Sequence, residues 1–546
     1  MEQKRYPGIF TGAVIGLLLT APLIAIFYAG EMLLGLPFLP FDLFVWVGQV
    51  LPGEIITVGI DSIVGIVTGL NLGETSSAAK LIEQALGIAM VMGIGVVSGA
   101  IFFAVMRATQ NRHRYLAGLI YGVLVGVPML WIITGLPTWN LNDQPLMSMI
   151  WVIGLFLIWG VAHNVIFHEL SSVETESIAG QRISIEPIDR RSFLVRVGAG
   201  AATITVIGAG LGAMLRRETG VQTVALPEGA TGTASASTTR WSDNNPLPNA
   251  DVEPMPAPGT RPELTPVEDH YRIDITIRPP ELDASEWRLN VSGLFDNPAM
   301  MTLDELMNSH EPIDAFITMS CISNQVGGDL IGTQRWTGIR LNELLADWSP
   351  QSNATALKIS SADGFDEFLD LETAMSDDRI MLCYAWDGEQ LPVRNGFPLR
   401  VHIPNHFGMK QPKWITDIEA VEDAGEGYWV RRGWSAEAIA LSTSVIDTVA
   451  DQSAVDEDGQ TLVPIGGISW AGDRGISSVE VQVDGGEWAE AELREPLSDR
   501  TWIIWRYDWP FVEGMHTFAV RAFEGDGTMQ IVTNATPHPD GASGIH

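Results

Sequence analysis

The chain has two cysteines, Cys321 and Cys383, in 546 residues. Two cysteines cannot build a disulfide framework or a cysteine-rich zinc or iron–sulfur site, and no C-x-x-C-H occurs for c-type haem. A thiol that does chemistry here acts alone. Cys321 stands in a polar loop with Ser320, Ser323, Asn324, Gly327 and Gly328, where backbone can approach a ligand closely. Taken alone, such a thiol reads by default as a small buried hydrophobe; as a thiolate it would suit a soft metal. Cys383, in IMLCYAW, reads as a core strand position. Downstream, Arg400 and Lys413 carry the two basic shapes that hold anions: a bidentate fork and a point charge.

The charge around these residues is lopsided. Residues 1–217 carry 12 Lys+Arg and 13 Asp+Glu; residues 218–546 carry 20 and 53. The nets are −1 and −33, so one soluble globule is excluded. So negative a surface also argues against nucleic acid as a partner. Isolated basic residues inside its loops are therefore not expected to be solubility charges.

The near-neutral part predicts a membrane domain over 1–217. Apolar runs of bilayer length lie at 8–30, 84–106, 115–135, 146–168 and 193–215. Lys4 and Arg5, then Arg107, Arg112 and Arg114, then Arg182, Arg190 and Arg191 flank them on one side. The positive-inside rule then puts the N-terminus in the cytoplasm and the acidic half outside. The stretch 36–72 is apolar but holds Pro37, Pro40, Pro52, Asp42, Glu54 and Asp61. A single crossing there would invert the charge pattern, so interfacial or re-entrant helices on the outer face are expected, with Glu54 and Asp61 facing water. His113, His163 and His168 do not form the facing pair that haem b requires. Arg190–Leu194 reads RRSFL ahead of an apolar run, like a twin-arginine export signal, with the span kept as an anchor. Gly208, Gly210 and Ala213 imitate a dinucleotide-binding turn, but the Thr/Ala/Ser/Gly/Pro-rich run that follows is no βαβ unit. That run, 218–266, is expected to be a flexible linker.

From 267 to 440 short β-like runs alternate with helical patches such as TLDELM and LNELLADW, with Thr302 and Asn342 near caps. This predicts an α+β domain. From 441 to 546 short alternating strands recur, with Asp484-Gly485-Gly486 as a hairpin turn and Val479, Val481 and Val483 on one face. This predicts an immunoglobulin-like sandwich, a kind of domain suited to docking or dimerisation.

Seven motifs in order give residues 262–546 a resemblance. TPVEDHYRID (265–274), EWRLNVSGLFDNPAMMTLDEL (286–306), TMSCISNQVGGDLIGTQRWTGIRLNELL (318–345), SADGF (361–365), NGFPLR (395–400), FGMKQPKW (407–414) and GYWVRRGW (427–434) resemble the sulfite-oxidase-like molybdenum-cofactor enzymes. The resemblance implies a molybdopterin domain, two-electron oxo transfer at molybdenum, and Cys321 as the metal ligand. It implies cofactor contacts at Asp363, Asn395, Arg400, Gln411, Pro412 and Lys413, and more loosely at Asp269, Tyr271 and Arg272. Arg431, Arg432 and Trp434 fall on the substrate side, with Arg432 a candidate oxyanion binder. It also implies a dimerisation role for the sandwich. Neither haem nor an iron–sulfur cluster is expected in this chain, so an external electron carrier is implied.

Departures from the family pattern bear on substrate. Gln325 and Val326 follow Asn324 where vertebrate-type sulfite oxidases have arginines. Trp434 replaces a tyrosine, and Asn395 replaces a histidine and matches the methionine-sulfoxide reductase branch. The expected enzyme is a membrane-anchored molybdopterin oxidoreductase, its catalytic domain extracytoplasmic, acting on a small sulfur or nitrogen oxide. Two other readings use the same residues: an S-oxide reductase, and a binding protein with a degenerate cofactor site. Intact Cys321, Arg400 and Lys413 argue against degeneracy.

Overall fold

A computed structural model describes the chain except residues 1–2, 71, 111–112, 114, 175–189, 215–225, 227–239 and 458. The principal helices of the first part are α1 (Ile9–Leu34), α2 (Leu39–Val50), α3 (Gly53–Gly69), α4 (Thr75–Thr109), α5 (Leu116–Thr134), α6 (Pro145–Leu170) and α7 (Arg190–Met214). The chain divides into two units. One holds residues 1–51 and 80–220; the other holds 52–79 and 221–546.

In the first unit α1, α4, α5 and α6 are long and apolar enough to cross a membrane. Small residues let their backbones meet: a Cβ on Gly12 would lie 2.5 Å from the Gly99 carbonyl oxygen, and one on Gly118 would lie 2.6 Å from that of Gly160. The fifth expected span is the helix α7, packed along α1, and its described apolar stretch is the shorter Val195–Leu211. The dinucleotide-turn look-alike lies inside this helix. The Arg190 and Arg191 side chains lie outside the described residues, as do Arg112, Arg114 and Arg182. His163 Nδ1 lies 2.9 Å from the Trp159 carbonyl oxygen, and its ring is enclosed by Phe102, Tyr121 and Trp159.

The stretch 36–72 is helical, as expected. It forms two helices, α2 and α3, which fall in different units. Pro52 caps the break between them. Glu54 and Asp61 are exposed on α3.

The second unit contains the α+β domain and the C-terminal sandwich. One sheet of the α+β domain orders 389–390, 381–386, 331–340 and 313–320, with 400–402 also pairing 381–386. The other orders 299–301, 289–293, 415–421, 356–361 and 366–370; only 289–293 with 415–421 is parallel. The strand Ile331–Arg340 is buried along nearly its whole length, so it reads as an apolar run without alternation. The helix Leu341–Trp348 follows at once and buries Leu341, Leu344, Leu345 and Trp348, spaced for one helical face. Thr302 caps Leu303–Met307 in a full capping box with Glu305. Asn342 is inside its helix, and Arg340 holds the cap position without a side-chain bond.

In the sandwich Asp484 and Gly485 take positive φ, as the tight turn between Ile476–Val483 and Trp488–Glu490 requires. Val479 and Val481 are fully buried.

The expected linker departs most from expectation. From Arg240 onward it is fastened to the folded domains. Trp241 N donates to Asp387 O at 2.7 Å, and Arg261 makes a bidentate pair with Asp447. Arg494 is buried against this segment, pairing with Glu263 at 3.2 Å and donating to the carbonyls of Asn249 and Pro254. Low-complexity composition is compatible with order when strong donors from elsewhere satisfy the backbone. Removing Arg494 would take the charged donor from two buried carbonyls and from Glu263, which keeps only the neutral Asn249 Nδ2 among the described residues. Arg494→Ala should cost the second unit about 3 kcal/mol, read from denaturant unfolding, while exposed Arg288→Ala changes it by less than about 0.5 kcal/mol.

Candidate functional site

The site is built where the loop after Ile313–Ser320 meets the strand Arg400–His402 and the turn Gly408–Lys410. Cys321 is buried; its Sγ lies 3.1 Å from Ser323 Oγ. Its loop is closed by Asn324, whose Oδ1 accepts from Leu330 N at 3.0 Å. Burial pushes the Cys321 thiol up, while the Lys413 charge opposes that shift. Cys383 is different: buried in a central strand, it donates to Ala385 O, and burial pushes its thiol up to about 12. It is core, as its sequence context implied.

Arg400 is 2% exposed. Nη1 donates to Asn395 O at 2.9 Å and Nη2 lies 3.2 Å from Met319 Sδ. The guanidinium carbon sits 4.7 Å from the Trp336 ring centre and 5.3 Å from that of Trp386. Among the described residues no carboxylate pairs with it, and Nε has no hydrogen-bond partner. Burial lowers its pKa to about 10, which leaves it charged near neutrality. Gly396, at φ +120°, brings Lys413 alongside: a Cβ there would meet Lys413 Cβ at 3.0 Å and Arg400 Cβ at 3.2 Å. Lys413 Nζ donates to Ile273 O at 3.0 Å, lies 3.4 Å from Asp274 and covers the Trp414 ring.

The other expected residues sort into three groups. Asp363, Asn395 and Gln411 are buried here. Asp363 accepts from Phe365 N at 3.0 Å, and burial raises its carboxyl to about 7. Asn395 Oδ1 is buried without a partner. Gln411 donates to His406 O and lies 3.1 Å from His402 Nδ1; Pro412 contributes its carbonyl to Val401 N. Tyr271 is buried, and a Cβ on Gly408 would come 3.1 Å from its hydroxyl. Arg272 is bound to Asp274 at 2.6 Å and to backbone carbonyls, which makes it a brace for the carboxylate that Lys413 also uses. Asp269 is exposed, and the buried side chain at this position is its neighbour His270, stacked on Tyr271.

On the far side, Arg432 lies 3.6 Å over the Tyr428 ring and donates to Tyr428 O. Arg431 is tied to Asp366. Trp434 is buried in an apolar cluster that includes Ile322, the residue after Cys321, and its ring meets Trp429 and His538.

Sequence reading missed His270, Trp336, Trp386, His402 and His538. His270 lies between two flagged residues and is the one a local signal could have found. The rest are recruited by sheet pairing and by the returning C-terminal segment.

Arg400 Nε, Asn395 Oδ1, His270 Nε2 and His402 Nε2 are all buried without partners. Buried polar atoms normally have partners, so these four, gathered around the Arg400 guanidinium, are candidates to contact a polar ligand. Two cations, a thiol and these atoms fit an anionic ligand carrying a polar ring and a soft metal.

Residues 276–429 match the family described as the oxidoreductase molybdopterin binding domain. That stretch carries a molybdopterin-binding domain of the kind the sulfite-oxidase-like motifs implied. The chain is similar to mitochondrial sulfite oxidase of Homo sapiens, 26% identical over 279 residues, 43% of this chain and 51% of that protein. It is also similar to a candidate protein-methionine-sulfoxide reductase subunit, YedZ1, of Azospira oryzae, 30% identical over 155 residues, 28% of this chain and 56% of that one. Among solved structures it is similar to the sulfane dehydrogenase SoxCD of Paracoccus pantotrophus, at 19% identity over 52% of this chain and 79% of that one, with a TM-score of 0.45. The chain spans about half the length of the curated relatives it matches.

His402 is fully buried, and burial lowers its pKa from 6.5 to about 3. Between those values the unfolded chain binds the proton and the folded one does not. The neutral ring's contribution is therefore present above pH 6.5 and lost as pH falls. His402→Gln should flatten the pH dependence of unfolding free energy by about 1.4 kcal/mol per pH unit between pH 6 and 4, measured by denaturant titration. An unchanged slope would show that the ring titrates normally in the folded state.

Proposed function

We propose that this protein is a membrane-anchored molybdopterin oxidoreductase that moves an oxygen atom and two electrons to or from a small sulfur- or nitrogen-oxide substrate. The carrying observation is the convergence of the Cys321 thiol with the unpaired, buried Arg400 guanidinium and Lys413. When bound, molybdenum–molybdopterin supplies two-electron oxo transfer. The chain's own residues hold and tune the site. Cys321 is the metal ligand, and its thiol must lose a proton on binding, so loading favours higher pH. Arg400 and Lys413 neutralise the anionic part of the cofactor, with Asp363, Asn395 and Gln411 lining the polar ring. Arg432 and Trp434 form the substrate side. In the oxidising direction, substrate and water give the oxide, two protons and two electrons; a separate carrier takes the electrons. The reducing direction consumes the same protons and electrons.

The substrate reading rests on the same wall. A dianion such as sulfite calls for converging guanidinium donors. Arg431 is engaged by Asp366, and Trp434 Nε1 sits in an apolar cluster without a partner. An indole cannot exchange a proton as a phenol can. A less charged sulfur or nitrogen oxide suits this pocket, and Asn395 favours S-oxide reduction as the second reading. We place the catalytic unit outside the cytoplasm, with RRSFL directing export. The sandwich is the candidate dimer contact.

Purified protein should hold about one molybdenum and one pterin per chain, by metal and fluorescence analysis, and Cys321→Ser should abolish turnover while folding survives. Full activity in Cys321→Ser would overturn the assignment. Trp434→Tyr should raise sulfite turnover about 10-fold, by dye-coupled assay; micromolar sulfite affinity in the unaltered enzyme would refute the pocket argument. Reporter fusions after Arg112 should be cytoplasmic and those after Gly220 extracytoplasmic, and Arg190→Lys with Arg191→Lys should block export; normal export would leave RRSFL as a topology signal.

A further inference from the structure

Residues 52–79 hold α3 and the first turn of the long apolar helix α4, yet they belong to the catalytic unit. They touch both loops that carry the candidate chemistry. At one end, Gly53 opens α3 against the turn Val430–Arg432. A Cβ on Gly53 would lie 2.6 Å from Arg432 Cα and 2.7 Å from its carbonyl carbon. No real side-chain carbon fits at such distances, so glycine is required by the approach of the Arg432 peptide. At the other end, Thr75 N donates to Asp329 Oδ2 at 2.8 Å. Asp329 closes the loop that starts at Cys321 and is tied by Asn324 at Leu330. Between these ends α3 buries Thr57, Val64 and Val67 and exposes Ile55, Val58 and Ile66. The buried positions recur at helical spacing, so α3 has one committed face.

We propose that residues 52–79 are a positioning brace of the active site: Gly53 sets the Arg432 turn, and the Thr75–Asp329 bond sets the Cys321 loop. Gly53 is thus a positioning residue acting through Arg432. The kinetic consequence rests on the reading of Arg432 as a substrate-side residue; the structural consequence does not.

Two single changes in the full-length, detergent-purified protein separate these claims. Gly53→Ala adds one methyl and strengthens α3 intrinsically, so a loosened turn cannot be blamed on a weaker helix. Asp329→Ala removes the exposed acceptor of the Thr75 N–H. Hydrogen–deuterium exchange reads the result, because the turn is held by backbone bonds from Arg431 N to Gly427 O, Arg432 N to Trp429 O and Gly433 N to Val430 O. Gly53→Ala should speed exchange across 427–434 at least tenfold, and Asp329→Ala should do the same across 321–330. The sandwich strand Ile503–Pro510 should be unchanged in both and serves as the folding control. Unchanged exchange in both site loops would overturn the brace. With the brace confirmed, Gly53→Ala should raise KM at least fivefold, with kcat and molybdenum content held within twofold, for whichever of sulfite, dimethyl sulfoxide, methionine sulfoxide and trimethylamine N-oxide turns over best. Faster exchange with an unchanged KM would support the brace and overturn the substrate role of Arg432.

Discussion

A guanidinium buried without a carboxylate among the described residues is the constraint on which the rest of the site depends. Taking a charge out of water costs several kcal/mol. Around Arg400 that cost is offset only in part, by one backbone carbonyl, a thioether and the faces of Trp336 and Trp386. The two indoles come from neighbouring strands of one sheet, and Met319 comes from the strand that ends at Ser320, just before Cys321. The same packing that encloses Arg400 therefore places the thiol. It also leaves an unmet demand for negative charge beside that thiol, which the anionic cofactor of the proposed function would meet.

The C-terminal sandwich takes part in holding this arrangement. Ile322 and Ile331, at the two ends of the Cys321 loop, share an apolar cluster with Ile468, Trp470, Trp502 and Ile504 of the sandwich. Thr318 N donates to Arg500 O, and Trp502 N donates to Thr318 Oγ1. The strand that delivers the cysteine thus finds partners in both domains. His538, from the returning C-terminal segment, lies against Trp434. The C-terminal region therefore packs against both the Cys321 loop and Trp434.

Acidic composition does not make the site acidic. The second half carries a net charge of −33, yet its buried cations are paired selectively. Lys410 is taken by Glu367, and Arg494 by Glu263. Lys413 shares Asp274 with Arg272, so it keeps a net positive surplus beside Arg400. Excess carboxylate elsewhere is solvated and screened over about 10 Å or less at ordinary ionic strength.

The sequence by itself determined what depends on composition and on short spacing. The charge split and the long apolar runs mark the membrane helices, because hydrophobic length is a property read along the chain. The Cys321–Leu330 loop, the Thr302 cap and the Asp484-Gly485 turn are likewise local, closed by bonds between residues a few positions apart. Only the tertiary structure decided which residues surround the thiol. His270 meets Trp386, and Arg494 fastens Glu263, across more than a hundred residues. The segment 52–79 looked like part of the membrane domain by hydropathy, yet it packs in the catalytic unit. The reason is physical: an apolar face specifies that it must be buried, but not against what. The partner is fixed by long-range sheet pairing and by where buried charges find their donors and acceptors, and neither leaves a periodic trace in the chain.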